Sequence, residues 1–432
     1  MAEAYMPSQR PQPSRMYRWL VLIFISLAMF GNYYVYDSIA PIADLLKSQL
    51  GFSDVMIGRL YSVYSYAAVA TLLLGGVIID RFGTKKAVML FGAVCTVAGV
   101  LTAISPNFYV MLAGRLLLGL GAESLIVAVT TALAKWFKGK ELSFAFGINL
   151  TVARLGSVAA DNSPTWAGRW YSNWHDPLWV SAVIGGFCLL GAIVYWMLES
   201  NAERKYTLGE AGSTDKLVWR DLLRFNRSFW YVVALCVTFY SAILPFRAFA
   251  IKFFQEGHGL SREAAGGLNS LLPLSAMIAT PLFGLLVDRI GHRALFMAVG
   301  SLLLTPVFVM MIPALHLSLY LPIAFVGIAY SMIPAIMWPS VAYIVDERKL
   351  GTAYALMTLV QQLGVAGMNE AIGRANDVYG AGAANPSGYN PMLYTLSTLG
   401  FLGLLFSFLL WKTEKGPSAH GLETITAGAA SK

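Results

Sequence analysis

The chain has 432 residues, of which 57% are hydrophobic and 12% charged, with a mean hydropathy of +0.61. A soluble globular chain is nearer 45–50% apolar and about 25% charged, so the composition excludes an ordinary soluble protein and indicates an integral membrane protein. The formal net charge of +8 implies no nucleic-acid partner, because membrane proteins collect Lys and Arg in cytoplasmic loops; the partners expected are the lipid bilayer and a small molecule.

A helix needs about 20 apolar residues to cross a bilayer. In chain order, an N-tail (1–17) leads into apolar runs at 18–40, 54–79, 86–104, 108–135, 142–166 and 179–198. A charged linker (199–227) follows, then runs at 228–253, 263–287, 294–312, 318–344, 350–372 and 391–411, and a C-tail (412–432). The prediction is an all-α protein of twelve membrane spans in two six-helix halves, 18–198 and 228–411. The first run is too long for a signal-peptide core and lacks an A-x-A-like cleavage site, so no cleavable leader is expected. The stretch "LVWRDLLRF" (217–225) in the linker is amphipathic and basic and predicts a helix lying at the interface. Both tails are expected to be disordered.

An even number of spans puts both termini on one side. Of the 31 Lys and Arg, 22 fall in tails and loops on that side. Six fall on the other: Lys47, Arg59, Arg169, Lys252, Arg262 and Arg374. The asymmetry predicts cytoplasmic termini. Cys95, Cys188 and Cys236 lie in apolar runs and are expected to pack as small hydrophobes. The histidines, His175, His258, His292, His316 and His420, all fall in predicted loops or the tail. No metal site, cofactor or enzymatic constellation is therefore expected.

An internal repeat fixes the architecture. "GVIIDRFGTKK" (76–86) matches "GLLVDRIGHRA" (284–294) at Gly76/Gly284, Asp80/Asp288, Arg81/Arg289 and Gly83/Gly291, each at an offset of 208. "ELSFAFGINLTVARLG" (141–156) matches "KLGTAYALMTLVQQLG" (349–364) at the same offset, with Leu142, Ala145, Val152, Leu155 and Gly156 repeated. Six spans return the chain to the same side, so the two halves run parallel about an axis along the membrane normal.

These motifs resemble the major facilitator superfamily. G-x-x-x-D-R-x-G between spans two and three, repeated between eight and nine, is similar to its signature loop, and "GRLLLGLG" (114–121) resembles its span-four motif with Arg115 in the arginine place. The glycine-proline antiporter motif is absent from span five, which argues against drug/proton antiport. A narrower likeness rests on "GAESL" (121–125), "WFKGKEL" (136–142), "ARLGS" (153–157), "LNS" (268–270), "FGLLVDR" (283–289), "WPSVAYIV" (338–345) and "LGTAY" (350–354), which resemble the lysosomal dipeptide transporter branch. The resemblance implies carriage of dipeptides, with Glu123 and Arg154 touching substrate, and leans toward uniport. The N-tail lacks the dileucine-type sorting signal of the animal members, so the expected location is a cell (inner) membrane, with the lysosomal membrane as the alternative.

Arg115, Arg154, Arg247 and Glu123 stand well inside predicted spans. A charge at the bilayer centre costs at least ~2.5–3.5 kcal/mol, so it needs a partner or an aqueous cavity. At ~1.5 Å of rise per residue, Glu123 lies near the middle of span four and Arg154 near the middle of span five, at one depth on consecutive helices. One reading is a permanent ion pair clamping the two spans. The other is a split receptor for a zwitterion, with Glu123 taking an ammonium and Arg154 a carboxylate. Arg247, in the outer half of span seven, is a second carboxylate receptor or snorkels to the interface. Arg115 is expected to partner a nearby carboxylate as a structural or gating group. Asp37 forms an outer-gate ion pair or is a solvated helix-end acid.

Tyr61, Tyr64, Asn269, Trp338, Gln361 and Gln362 are expected near the midplane as cavity wall, with ordinary helix packing the alternative for each aromatic. Gln362 holds the repeat position of Arg154. Asp80 and Arg81, with Asp288 and Arg289, are read as an inner gate, since carboxylates near helix N-termini are favoured. Two other functions stay open: carriage of a small organic anion such as a monocarboxylate or an amino acid, and a non-transporting receptor or partner subunit. An accessory membrane subunit and proton coupling through Glu123 are open as well.

Overall fold

The structure is a computed structural model that describes residues 11–137, 141–208, 225–417 and 419–426, apart from the side chains at 72–77, 80 and 348. It is built of helices, as lipid requires: with no water in the hydrocarbon, each backbone N–H and C=O must be satisfied within its own segment. Span one is Arg15–Asp37, and spans two and three form Asp54–Ala103, broken at Gly83. Phe108–Phe137, Leu142–Asp161 and His175–Lys205 complete the first six. Spans seven to twelve are Arg227–His258, Arg262–Ile290, Arg293–Met310, Tyr320–Ile344, Leu350–Val378 and Asn390–Glu414. Ten stretches among the described residues are long and apolar enough to cross a membrane by length and composition. Span eleven carries Gln361, Gln362, Asn369 and Glu370.

Each set of six packs mainly on itself, and the sets meet along three seams: span two on eleven, span five on eight, and residues 40–50 on span seven. Local conformation follows the 208-residue repeat beyond the motifs that revealed it. Gly83 (φ 78°) and Gly291 (φ 77°) both break helices in the left-handed half of backbone space, where a Cβ would be strained. Between spans one and two, Gly51 (φ 70°) ends a short helix and Ser53 caps the next by accepting from Met56 N–H at 3.3 Å. Between spans seven and eight, Gly259 (φ 67°) and Ser261 do the same, Ser261 accepting from Ala264 N–H at 3.2 Å.

Three expectations are corrected. Span five ends at Asp161, not near 166, because Pro164 cannot donate a backbone N–H and restricts the residue before it; a separate turn, Ser163–Trp166, follows. Span seven runs one turn further than predicted, to His258. The C-tail is not a loose end over 419–426. Span nine opens on His292, which has no side-chain cap of its own, and Glu423 supplies one by accepting from Ala294 and Leu295 N–H at 3.0 and 3.3 Å. Leu422 is fully buried beneath it. In the same way Arg18 bonds Pro13 of the N-tail at 3.0 Å. The predicted interfacial helix, 217–225, lies outside the described residues except for Phe225.

Candidate functional site

Between the halves lies a cavity of about 230 Å³. Glu123 reaches it from span four and Arg154 from span five, and both are half-buried. No ion pair joins them. Glu123 Oε1 accepts from Tyr64 Oη at 3.0 Å and from Gln362 Nε2 at 3.2 Å, so its contacts come from span two and, across the cavity, from span eleven. Arg154 donates to Thr280 Oγ1 at 3.4 Å and lies over the Tyr330 ring at 6.0 Å. The permanent clamp considered from the sequence is therefore not present, and both groups keep bonding capacity turned toward one space. Gln362, in Arg154's repeat position, faces the same space from the other half.

The remaining predicted residues divide. Tyr64, Gln361, Gln362, Asp37 and Arg247 line the cavity. Tyr61, Asn269 and Trp338 do not line it. Tyr61 is buried in edge-on contact with Tyr36, a ring that does line it. Trp338 stands behind, donating to Tyr240 Oη at 3.0 Å, and Tyr240 forms the wall. Asn269 donates to Asp161 Oδ1 at 2.8 Å. Tyr33, Tyr36, Asn32, Tyr240 and Tyr330, which the sequence did not single out, complete the polar wall. A neutral aromatic at mid-span looks like packing in sequence; only "NYYVYDS", three tyrosines beside Asp37, carried a legible signal.

Arg247 does not snorkel. Its side chain is 7% exposed and bridges Asp161 of span five at 3.0 Å and Asp37 of span one at 3.4 Å. Asp37 is likewise buried rather than solvated. Asp161 escaped notice because it fell within a run predicted to continue to 166. Arg115 has no carboxylate partner. Its guanidinium is fully buried and donates to the carbonyls of Leu60, Val35 and Tyr36 at 3.2, 2.9 and 3.0 Å, beneath the rings of Tyr36, Tyr61 and Tyr64. All these contacts lie in its own half, so it ties spans one, two and four together.

The end of the bundle away from the termini is shut by a paired clasp. Lys252 binds both oxygens of Asp54 at 2.7 Å, with both side chains fully buried, and Arg262 binds Asp44. Positions 44 and 252 are repeat mates, as are 54 and 262, so one salt bridge is the pseudo-symmetric image of the other. Both acids lie in the first half and both bases in the second. Asp377 adds a cap across the seam, accepting from the N–H groups of Asp54 and Val55 at 2.8 and 2.9 Å. The backbones touch here. A Cβ on Gly58 would sit 2.3 Å from Asn369 O, and one on its repeat mate Gly266 would sit 2.2 Å from Asp161 O. From sequence, Lys252 and Arg262 are legible only as charges on the far side of the membrane.

At the terminal end no ion pair between described residues joins the halves. Asp288 pairs with Arg293 of its own half at 2.9 Å, and Arg81 lies over Phe82 at 5.6 Å. Arg289 stands exposed at the end of span eight, and the side chain of Asp80 lies outside the described residues.

Residues 25–368 match the family model described as Major Facilitator Superfamily. The chain is 34% identical over 382 residues to "Lysosomal dipeptide transporter MFSD1" of Danio rerio, covering 84% of this chain and 82% of that protein. It is 33% identical to the Homo sapiens protein of the same name over 82% of this chain and 79% of that one. A more distant relative, 24% identical over 81% of this chain and 85% of its own length, is the "Probable sulfoacetate transporter SauU" of Cupriavidus necator. A bacterial homologue of the human lysosomal transporter Spinster, solved inward-facing and unoccupied, superposes with a TM-score of 0.71 at 17% identity, over 93% of this chain and 98% of that one. A parallel six-plus-six repeat, a signature loop in each half and a central cavity at their seam thus agree with the comparisons: this chain belongs to the Major Facilitator Superfamily and is a multi-pass membrane transporter of small molecules, not an enzyme.

Proposed function

We propose that the cargo is a dipeptide or a zwitterion of similar size, carried by rocking the two halves about the central cavity. The observation that carries this reading is that Glu123 and Arg154 open onto one cavity without pairing with each other. A carboxylate and a guanidinium held apart match an ammonium and a carboxylate joined by a short neutral backbone. At about 230 Å³, the cavity is below the roughly 300–1,000 Å³ of drug-sized sites, which suits a compact solute. The relatives named as dipeptide transporters cover most of the chain and support the same reading.

The second reading is a carrier of small organic anions, as the name of the sulfoacetate relative suggests for that protein. Such a carrier would rely on arginine alone, yet Arg247 is matched by two carboxylates and Glu123 adds a third acid to the site. The concentration of cross-half ion pairs at the far end supports a form closed there and open toward the termini. We take the terminal face as cytoplasmic, the membrane as a cell (inner) membrane with the lysosomal membrane as alternative, and transport as uniport.

A thermal-shift panel of dipeptides, free amino acids and monocarboxylates on purified protein tests the cargo. Dipeptides should stabilise the protein and monocarboxylates should not. Stabilisation by monocarboxylates with none by dipeptides would establish the second reading instead.

A further inference from the structure

On the terminal side of Glu123 and Arg154 a groove of about 260 Å³ between spans one, four and five adjoins the central cavity. The two spaces share Tyr33, Ile126 and Leu150 as walls. The groove follows from helix periodicity. Ile126, Thr130 and Leu133 succeed Glu123 on one face of span four, and Leu150, Gly147 and Phe146 precede Arg154 on one face of span five. Any cargo held between Glu123 and Arg154 therefore lies next to it.

The lining contains no charged side chain. It does contain one unsatisfied polar atom: Asn149 is 6% exposed, and its Oδ1 has no hydrogen-bond partner. A buried acceptor left without a donor is costly and calls for an occupant that brings one. Gly147, on the same wall, has open space where a Cβ would point, with nothing within 4 Å. The room there is therefore not filled by packing from a neighbouring helix.

We propose that this groove is a side-chain subsite, which receives one side chain of the dipeptide and sets the preference for its size and charge. The proposal rests on the dipeptide reading above. Apolar side chains are favoured by burial against Ile126, Leu133 and Phe146. Neutral side chains with a terminal donor gain the Asn149 oxygen. Ionised ones are disfavoured, because nothing in the groove replaces their water.

The test is binding to purified full-length protein of two matched series, Gly-X and X-Gly, with X as Gly, Ala, Leu, Phe or Asp. In one series affinity should rise from Gly to Leu by roughly tenfold to a hundredfold, the effect of burying one such side chain, and fall for Asp. That series identifies the peptide end that enters. Gly147→Leu fills the open space and should abolish the rise while leaving Gly-Gly binding unchanged, whereas Gly147→Ala should keep most of it. Thr130→Leu, from the opposite wall, repeats the test should Gly147→Leu not fold. Equal weakening of every peptide, Gly-Gly included, or an undiminished preference for Leu in both filling variants, would overturn the subsite while leaving the dipeptide reading intact. Silence of the wild-type protein toward every peptide would overturn that reading and the subsite together.

Discussion

Among single residues, position in the bilayer separates the charges that serve a cargo from those that serve the frame. Glu123 and Arg154 were legible in the sequence because a mid-span charge must be matched by something, and the structure gives each only neutral partners. Glu123→Gln keeps the bonds from Tyr64 and Gln362 possible but removes the charge. Dipeptide binding should weaken roughly tenfold to a hundredfold, the worth of a hydrogen bond to a charged group, with no fall in the unfolding midpoint of the empty protein. Arg115 was equally visible and is different in kind. Its fork satisfies three carbonyls, which a lysine's single ammonium cannot reach in the same geometry. Arg115→Lys should therefore destabilise the protein by about 2 kcal/mol or more through unmade buried bonds, read as a lower unfolding midpoint, while the ranking of peptides is retained. The part of the aromatic wall formed by Tyr240 and Tyr330 was not legible, because a tyrosine that lines a cavity and one that packs a helix have the same local pattern.

Between elements, the decisive objects are pairs of helix ends, and these are where sequence reasoning fell short. From sequence, Lys252 and Arg262 stand out only as charges on the far side, and Asp44 and Asp54 do not stand out at all. Their kinship shows only when the repeat is carried into the first turn of each half, where Gly51 and Ser53 recur as Gly259 and Ser261. The segregation of acids to one half and bases to the other then makes a clasp in which each half attracts its partner twice. Removing one member of a fully buried pair, as Lys252 and Asp54 are, strands the other at a cost of about 3–5 kcal/mol, and less where the pair is partly exposed, as Arg262 and Asp44 are. Arg262→Asp, placing an acid against Asp44, should accordingly shift the protein toward a form open at the far end. Adding Asp44→Arg should restore closure by reversing the pair. Distances between spin labels at the exposed positions Pro106 and Ser318 report the change: longer in the single variant and returned in the double. A single variant with unchanged distances would remove the clasp as the closing element.

For the molecule as a whole, hydropathy and a repeat offset of 208 sufficed to lay out two parallel six-helix halves, since lipid leaves the backbone few options. What they could not place was the seam. The close approach of Gly58 to Asn369 and of Gly266 to Asp161 depends on the arrangement of the halves, which no single helix encodes; the docking of the C-tail on span nine is likewise a tertiary contact, made within the second half. Carriage of this kind requires that one cargo present opposite charges to Glu123 and Arg154 together. Uptake by purified protein in liposomes tests this most directly, using a dipeptide beside its N-acetylated and its C-amidated forms. The free dipeptide should enter and equilibrate, and blocking either end should abolish entry. Uptake of either blocked form at the rate of the free dipeptide would contradict it.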